Sequence, residues 1–159
     1  MKVMISVAKD EQMQIPQVIC GFPGVGKSTL FKNRGNQKIL DSDSSTFDKE
    51  HFPANYIAHI KEKIAEGYTI LASTHDAVRA ALVENNIPFC IVYPAMNCKA
   101  EYLQRYKERG SPQAFIDLMD NKWVEFVNGC AAQKGCVSHC LAKGEFIPTL
   151  DQLPKLLKA

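Results

Sequence analysis

The sequence predicts an α/β fold in which helices flank a mainly parallel β-sheet. Short apolar runs alternate along the chain with stretches in which apolar residues recur every three or four positions. This alternation is typical of βαβ units, whose strands lie parallel in one sheet. A glycine-rich loop separates the first predicted strand from the first predicted helix. The chain of 159 residues suits a single domain, residues 1–159.

Five segments are predicted as strands because each is a short apolar run bounded by polar or turn-forming residues. They are QVIC (17–20), KIL (38–40), TILAS (69–73), FCIVY (89–93) and a fifth near EFI (145–147). Helical patterns fill the remaining stretches. These are KSTLFKNR (27–34), ANYIAHIKEKIAEG (54–67), HDAVRAALVENN (75–86), NCKAEYLQRYKERG (97–110), SPQAFIDLMDNKWVEFVNG (111–129) and DQLPKLLKA (151–159).

Capping residues and glycines set the predicted helix ends. Asn97 is expected to cap the fourth helix and Gly110 to end it. Ser111 is expected to cap the fifth helix, with Pro112 at its first helical position. Trp123 and Phe126, within this fifth helix, are predicted as core residues rather than as a base-stacking platform. The apolar residues that share one side of the same helix are Phe115, Leu118, Met119 and Phe126.

The composition limits the classes of function. The formal net charge is only +2, so no large basic surface for nucleic acid is expected, although a local basic groove stays open. No run of 18 apolar residues is present, and the first residues, MKVMISVAKDEQMQ, lack the continuous apolar core of a signal peptide. We therefore expect a cytoplasmic protein without a membrane span.

Six cysteines are present, and we expect them to be structural or incidental. Cys20 and Cys90 lie within apolar strand segments and are predicted as small core residues. Cys130, Cys136 and Cys140 cluster with a histidine in CAAQKGCVSHC, but their spacing is not a standard zinc spacing. A disulfide framework is not expected in a reducing cytoplasm.

The loop GFPGVGKSTL (21–30) fits the spacing G-x-x-x-x-G-K-[ST], which predicts a phosphate-binding loop. Its glycines allow successive N–H groups to point at one centre and to hold an anion. Lys27 is expected to reach the terminal phosphates of a nucleotide, and Ser28 to place its hydroxyl on Mg²⁺. The alternative is a simple glycine-rich turn. The predicted nucleotide-binding residues are Gly21, Pro23, Gly24, Val25, Gly26, Lys27, Ser28 and Thr29.

Ligands of parallel sheets gather at the carboxyl ends of the strands, so the residues after each strand are candidates for the site. After the second strand, LDSDSSTF supplies Asp41 and Asp43. We expect Asp41 to hold Mg²⁺, which prefers oxygen ligands, and Asp43 to orient a hydroxyl nucleophile. The alternative is an ordinary Asp/Ser turn.

The third strand is followed by STHDAVR, where many phosphate-loop proteins carry a metal-binding aspartate instead. This difference moves the expected metal role to Asp41 and makes a motor or switch ATPase less expected. His75 and Arg79 lie one helical turn apart, so both are candidates to face the bound substrate. Alternatively, His75 is a polar helix start and Arg79 a solvated surface residue.

The fourth strand is followed by a helix that carries Arg105 and Arg109 on one face. Phosphoryl transfer spreads negative charge over the equatorial oxygens, and arginines stabilise that charge. We expect the two arginines to act from a hinged lid near Gly110. The alternative is that Arg105 pairs with Glu101 on a solvated face.

Three motifs together resemble one group of enzymes. The GFPGVGKST loop, the DSD after the second strand and the RYKERG helix after the fourth are similar to those of small P-loop kinases around adenylate kinase and other nucleoside monophosphate kinases. The longer pattern from LDSDSS to CIVYP resembles, more closely, short nucleotide-kinase-like proteins of bacteriophages. The resemblance covers about residues 17–128.

The resemblance implies a three-layer P-loop kinase fold with a five-stranded parallel sheet in the order 2-3-1-4-5, helices on both faces and a short lid. It implies ATP and Mg²⁺ at Lys27 and Ser28, with Arg105 and Arg109 as lid arginines. The compartment would be the host cytoplasm if a phage encodes the chain. Two features differ from adenylate kinases: STHDAVR stands where they have D-G-[FY]-P-R, and a long lid insertion is missing.

The leading hypothesis is a phosphotransferase that moves the γ-phosphate of ATP to a nucleotide or nucleoside. Asp43, Ser44, His75 and Arg79 would bind this acceptor, under a flap formed by residues 44–66. The DSD pair is also similar to that of shikimate and gluconate kinases, and the loop with STHDAVR is similar to polynucleotide 5′-hydroxyl kinases. A kinase for a nucleic-acid end or another small hydroxyl compound therefore stays open, as does a nucleotide-binding interaction protein with little turnover.

Overall fold

The computed structural model describes residues 15–157, which form a five-stranded, fully parallel sheet with helices packed against it. The spatial order of the strands is β2-β3-β1-β4-β5, so the predicted fold class and the order 2-3-1-4-5 are confirmed. The strands are β1 (Val18–Gly21), β2 (Ile39–Asp41), β3 (Thr69–Ala72), β4 (Phe89–Pro94) and β5 (Val137–Leu141).

Within residues 15–157, five α-helices follow the strands in the alternation that the sequence predicts. They are α1 (Lys27–Lys32), α2 (Ala54–Ala65), α3 (Asp76–Glu84), α4 (Lys99–Glu108) and α5 (Gln113–Ala132). Three short 3₁₀ turns lie at Ser44–Thr46, Met96–Cys98 and Leu153–Lys155. Within residues 15–157, none of the helices has the length and apolar character that a membrane crossing requires.

The central strand β1 is buried along its whole length, because helices cover the sheet and β3 and β4 lie on either side of it. Such doubly covered strands have continuous apolar runs rather than alternating ones. The prediction that Cys20 and Cys90 are core residues is confirmed, since both are fully buried. The loop after β1 therefore lies in the middle of the carboxyl edge of the sheet, between the ends of β3 and β4.

The predicted position of the fifth strand is wrong: β5 spans residues 137–141, not 145–147. β5 is an edge strand that contains Ser138 and His139, so it lacks the apolar run that identifies the central strands. Residues 145–147 instead turn back towards the glycine-rich loop, where the N–H of Ile147 donates to the Val25 oxygen (2.8 Å). The apolar character of EFI comes from this contact and not from a strand.

Several predicted helix ends also differ from the structure. Asn97 lies inside a 3₁₀ turn, and α4 begins only at Lys99. Pro112, rather than Ser111, directly precedes α5, which continues past Gly129 to Ala132. The C-terminal helical pattern forms only the Leu153–Lys155 turn within the described residues, because Pro154 lacks the N–H that a longer helix needs.

Helix α5 has two apolar faces, of which the sequence pattern identified one. The face buried against the sheet consists of Ile116, Met119, Trp123, Val127 and Cys130, so the core placement of Trp123 is confirmed. The Nε1 of Trp123 donates to the Met96 oxygen (2.9 Å). Of the side predicted from the sequence, Met119 is buried, Phe115 and Phe126 are half-buried, and Leu118 is 45% exposed. Phe126 therefore packs against the core without being fully buried in it, unlike Trp123.

Candidate functional site

The loop between β1 and α1 has a backbone that only glycine adopts readily. Gly24 and Gly26 have φ angles of 94° and 107°, in the region that L side chains rarely occupy. A Cβ atom on Gly24 would lie 3.0 Å from the rings of Tyr102 and Tyr106, and one on Gly21 would lie 2.8 Å from the Lys27 side chain. The predicted glycines therefore serve both backbone conformation and close packing.

Three consecutive carbonyl groups of this loop point outward and are held by groups from later in the chain. The Pro23 oxygen accepts from the Tyr106 hydroxyl (2.7 Å), the Gly24 oxygen from Arg105 Nη1 (2.6 Å) and the Val25 oxygen from the Ile147 N–H (2.8 Å). With its carbonyl groups fixed outward, the loop turns its N–H groups the other way.

The N–H groups of Gly24, Gly26, Lys27 and Ser28 have no hydrogen-bond acceptor among residues 15–157. Unpaired N–H groups that follow one another in a turn form a concave site for an anion such as phosphate. Thr29, the last predicted residue of the motif, is exposed in the first turn of α1. This arrangement fits the phosphate-binding role that the spacing predicts.

Lys27 lies at the centre of the charges around this loop. Its Nζ donates a 2.5 Å hydrogen bond to the Gly21 oxygen at the end of β1. Burial lowers the pKa of Lys27, Asp41 and Asp43 raise it, and Arg109 lowers it further. The two aspartates and Arg109 therefore lie within electrostatic reach of the Lys27 ammonium group.

The DSD segment is fixed by its middle residue. Ser42 is buried, and its N–H donates to the Leu71 oxygen (2.9 Å) while its Oγ bonds to His59 Nε2 (2.8 Å). The Ser42 oxygen also accepts from the Tyr56 hydroxyl (2.8 Å). Because Ser42 is anchored on three sides, the flanking residues Asp41 and Asp43 are the exposed ones.

The two aspartates differ in their local surroundings. Asp41 ends β2, and burial raises the pKa of its carboxyl group while the charge of Lys27 lowers it. Asp43 precedes the turn Ser44–Thr46, and its Oδ1 accepts from the N–H of Ser45 (2.9 Å). Asp43 therefore has the turn-capping role that the alternative interpretation predicted, in addition to its proximity to Lys27.

The proposed flap region contains aromatic residues that pack mainly on the protein itself. Phe47 makes an edge contact with Tyr56, with ring centroids 4.9 Å apart, and also lies against His59. Phe52 lies 5.8 Å from the ring of His75. His51 is exposed, and its Nδ1 lies 2.7 Å from Asp48 Oδ2.

A cavity of about 470 Å³ opens beside the loop, at the carboxyl ends of β1 and β3. Its floor includes Phe22 and Lys27, and one wall is the apolar side of α5 predicted from the sequence, with Phe115, Leu118, Met119 and Phe126. The opposite wall consists of the residues after β3, which are Ser73, Thr74, His75, Asp76 and Arg79. A cavity of this size accommodates a small molecule such as a nucleoside.

The structure brings together only some of the residues predicted to bind the acceptor. His75 and Arg79 line the cavity, whereas Asp41, Asp43 and Ser44 do not. The carboxylates in its lining are Asp76, at the start of α3, and Glu125, on α5.

His75 caps α3, as the alternative interpretation of this residue predicted. Its Nδ1 accepts from the Ala77 N–H (3.1 Å) and lies 3.2 Å from Asp76 Oδ1. A nitrogen that accepts a backbone N–H carries no proton, so the ring proton of the capping form lies on Nε2. Nε2 is then a donor that a bound molecule can use.

Arg79 is a clamp between α3 and α5 rather than a solvated surface residue. Its Nε donates to the Thr74 oxygen (2.8 Å), and its Nη1 donates to the Gly129 oxygen (3.1 Å) and to Gln133 Oε1 (2.6 Å). Nη2 lies 3.1 Å from the position that a Cβ on Gly129 would occupy. Most of the donors of Arg79 are therefore committed to the protein.

Arg105 and Arg109 do not form a pair on a lid, which corrects the expectation from the sequence. Arg105 pairs with Glu101, as the alternative predicted, but not on a solvated face, because its side chain is only 13% exposed and also donates to the oxygens of Gly24 and Glu145. It therefore braces the phosphate loop from outside. Only the turn from α4 to α5 separates the two helices, so no inserted lid is present there.

Arg109 is exposed, and of its groups only Nε has a hydrogen-bond partner among the described residues. That partner is Ser111 Oγ, at 2.9 Å. Its guanidinium carbon lies 5.0 Å from the centre of the Tyr106 ring. The charge of Arg109 acts on Lys27, so Arg109 lies near the phosphate loop. Of the two predicted arginines, it is therefore the one with donors free to meet a phosphate.

Phe146 is a candidate that sequence reasoning missed, because EFI was interpreted as a strand. Its ring is 57% exposed although it lies beside the loop, where a Cβ on Gly26 would be 3.3 Å from its Cδ2. The Arg105 guanidinium carbon lies 3.9 Å from the centre of the same ring. An exposed aromatic ring next to a phosphate loop can stack with a planar base.

The cysteine cluster is spread over different environments. Cys130 is buried, Cys136 is half-buried and Cys140 is exposed, and all are free thiols. Within residues 15–157, the group of side chains close enough to share a metal ion is Asp48, Glu50 and His51, all exposed.

No model of a known protein family matches the sequence, and a search of curated proteins likewise finds no match. The fold class is therefore assigned from the sheet, its strand order and the position of the loop. A five-stranded parallel sheet in the order 2-3-1-4-5, with flanking helices, is consistent with a P-loop-like α/β fold.

Proposed function

We propose that the protein is an ATP-dependent phosphotransferase that moves the γ-phosphate of ATP to a hydroxyl group of a nucleotide or nucleoside. One observation carries this proposal: the loop with unpaired N–H groups and Lys27 opens directly beside a cavity large enough for a second small molecule. A loop alone would support nucleotide binding. The adjoining cavity supports transfer, because Lys27 belongs to both.

The phosphates of ATP would lie on the N–H groups of Gly24, Gly26, Lys27 and Ser28. The ring of Phe146, held by Arg105, would stack with the base. This assignment gives Arg105 a role in shaping the loop and the base site, and leaves Arg109 to meet the charge that develops on the transferred group. It also keeps Lys27 free to exchange its bond to Gly21 for one to phosphate.

The residues present fit a magnesium ion at this site. Ser28 and Asp41 are exposed next to the loop and offer the hydroxyl and carboxylate oxygens that Mg²⁺ prefers. Bound Mg²⁺ would neutralise charge on the phosphates.

The carboxylate that orients the acceptor hydroxyl has two candidates. Asp43 is the residue that the sequence predicts, and it lies within reach of the Lys27 charge. Asp76 has the additional support that it lines the cavity and is exposed there. Either one would accept the proton as the hydroxyl oxygen attacks.

The proposal is tested by measuring transfer of labelled γ-phosphate from ATP to a panel of nucleosides, nucleotides and polynucleotides. Lys27→Ala should lower the transfer rate by at least about 10²-fold, because it removes a charge aimed at the transferred group. Lys32→Ala, an exposed lysine on the same short helix, is the matched control and should retain the wild-type rate. Thermal melting should show that both variants are folded.

Three outcomes separate this proposal from its alternatives. Full activity of Lys27→Ala would overturn it. Transfer to 5′ ends of polynucleotides alone would favour a nucleic-acid end kinase. Tight ATP binding without transfer or hydrolysis would favour a nucleotide-binding interaction protein.

A further inference from the structure

The cavity beside the loop has a composition that selects among acceptors, and we infer that it binds an uncharged hydroxyl compound with a planar, apolar body, a nucleoside rather than a nucleotide. This inference rests on the proposed phosphotransfer, in which the cavity holds the acceptor. It follows from three features of the cavity. One wall is apolar, most cationic donors in the lining are already bonded or needed by ATP, and the lining contains carboxylates.

The apolar wall favours a flat, uncharged group. Phe115, Leu118, Met119 and Phe126 come from one side of α5, and Phe22 closes the floor. Leu118 is 45% exposed, so part of this wall is open to water. Covering such surface with a ring removes apolar area from water, which stabilises the complex.

Most cationic donors in the lining of the cavity are already used. Lys27 and Arg79 are the basic residues in its lining within residues 15–157. Lys27 is needed by the phosphates of ATP. The Nε and Nη1 groups of Arg79 donate hydrogen bonds to Thr74, Gly129 and Gln133, and its Nη2 lies against the backbone of α5.

The carboxylates in the lining oppose a charged acceptor. Asp76 and Glu125 belong to the lining, one from α3 and one from α5, and the Glu125 carboxylate also lies 3.3 Å from Lys122 Nζ on the exposed side of α5. A phosphate monoester carries a charge of about −1.5 to −2 at neutral pH. It would enter a largely apolar space with like charges beside it and with few free cationic donors, and that combination is unfavourable.

The transfer step is balanced with an uncharged acceptor. The acceptor hydroxyl oxygen forms a bond to the γ-phosphorus, and the bond from that phosphorus to the β,γ-bridging oxygen breaks. ADP leaves with the bonding electron pair, and the hydroxyl proton passes to a carboxylate, Asp43 or Asp76. The product is a phosphate monoester, which gains negative charge beside Asp76 and Glu125, and this repulsion favours its release.

Calorimetric titration tests the inference without requiring turnover. The full chain is saturated with Mg²⁺ and a non-hydrolysable ATP analogue, and the common ribonucleosides, deoxyribonucleosides and their 5′-monophosphates are titrated in turn. At least one nucleoside should bind about tenfold or more tightly than its own 5′-monophosphate. Tighter binding of the monophosphates, or binding of neither class, overturns the inference.

A charge variant tests the reason for the selectivity. Glu125→Gln should strengthen monophosphate binding by about three- to tenfold more than nucleoside binding, because it removes a like charge. Glu84→Gln, an exposed glutamate at the end of α3, is the matched control and should leave both affinities unchanged. An unchanged ratio in Glu125→Gln would overturn the electrostatic argument.

Failure of this inference and failure of the proposed function are distinguishable. Phosphate transfer to monophosphates but not to nucleosides would overturn the inference and leave the phosphotransferase standing. Nucleoside binding without phosphate transfer would support the assignment of the cavity and overturn the proposed function.

Discussion

The hydroxyl of Tyr106 donates a 2.7 Å hydrogen bond to the carbonyl oxygen of Pro23, so that α4 holds the outer wall of the phosphate loop. Tyr102, one turn earlier on the same helix, packs its ring beside Gly24. Its buried hydroxyl has no hydrogen-bond partner within residues 15–157. The two tyrosines contact the same loop and differ in one hydrogen bond.

This difference predicts opposite effects of the same substitution. Tyr106→Phe should lower the free energy of unfolding by about 1–2 kcal/mol and weaken ATP binding, because the Pro23 carbonyl loses its partner. Tyr102→Phe should leave the free energy of unfolding unchanged or raise it, because it removes an unpaired buried hydroxyl. Urea denaturation and ATP titration measure both effects. Equal destabilisation by the two variants would contradict the assignment.

Alanine variants of Arg105 and Arg109 should affect different properties, the first mainly the free energy of unfolding and the second mainly turnover. Arg105→Ala should lower the free energy of unfolding by about 1.5–3 kcal/mol, since charge-assisted bonds to the loop are lost. Arg109→Ala should leave the melting temperature nearly unchanged and lower turnover by about 10²-fold, if its free donors meet the transferred phosphate. Wild-type turnover in Arg109→Ala would remove this arginine from the reaction.

The three candidate carboxylates should be distinguishable by their asparagine variants. Asp41→Asn should raise the Mg²⁺ requirement and slow both ATP hydrolysis and transfer, as expected of a residue that holds the metal. The variant of the residue that orients the acceptor, Asp43→Asn or Asp76→Asn, should lose transfer but keep slow hydrolysis, since water can still attack. ATP hydrolysis and transfer are measured across Mg²⁺ concentrations. If all three variants retain full transfer, the DSD segment is only a turn.

Ionisation of Asp41 should lower the free energy of unfolding as the pH rises. Burial raises the pKa of its carboxyl group above the ordinary value of 3.8. The unfolded chain then ionises at a lower pH than the folded chain, so this group's contribution is present below 3.8 and is lost as the pH rises through the folded pKa. Asp41→Asn should therefore gain stability relative to wild type as the pH rises above 3.8, and this gain should level off above the folded pKa.

Urea denaturation at stepped pH values measures this gain. Asp117→Asn, which removes an exposed carboxylate from α5, is the control for the loss of a surface charge. A progressive loss of stability in Asp41→Asn towards neutral pH would mean that attraction to Lys27 outweighs the burial.

Phe146 should contribute to ATP affinity but not to the fold. Phe146→Ala should weaken ATP binding by about 1–3 kcal/mol, the range for loss of stacking on one base. Phe146→Trp should restore binding, because the larger ring can also stack. Val124→Ala, another exposed apolar residue, is the control and should leave ATP affinity unchanged. Equal ATP affinity in all three variants would exclude a stacking role.

The parts of the fold that sequence predicts well are those with local causes. The glycines, Lys27 and Ser28 are fixed by a spacing of a few residues, and the central strands are apolar because they are buried on both faces. The edge strand β5 was missed because half-exposed residues such as Ser138 and His139 carry no apolar signal.

The parts that sequence could not predict depend on contacts between distant residues. Arg105 has the same i, i+4 spacing whether it serves a lid or a brace, and only the position of the Gly24 oxygen, 81 residues away, decides between them. Likewise, the apolar side of α5 was identified from its period, but the period does not say that this side faces a cavity instead of the sheet.

The bonds that hold Pro23, Gly24 and Val25 come from residues 83, 81 and 122 positions further along the chain. During synthesis the glycine-rich segment is made early, yet its three braces follow only after most of the chain has emerged. A nascent chain that ends at β5 would already contain every strand but would lack the brace from Ile147. Binding competence should therefore be among the last properties that the protein acquires as it folds, and nucleotide added during refolding should report completion rather than the first collapse.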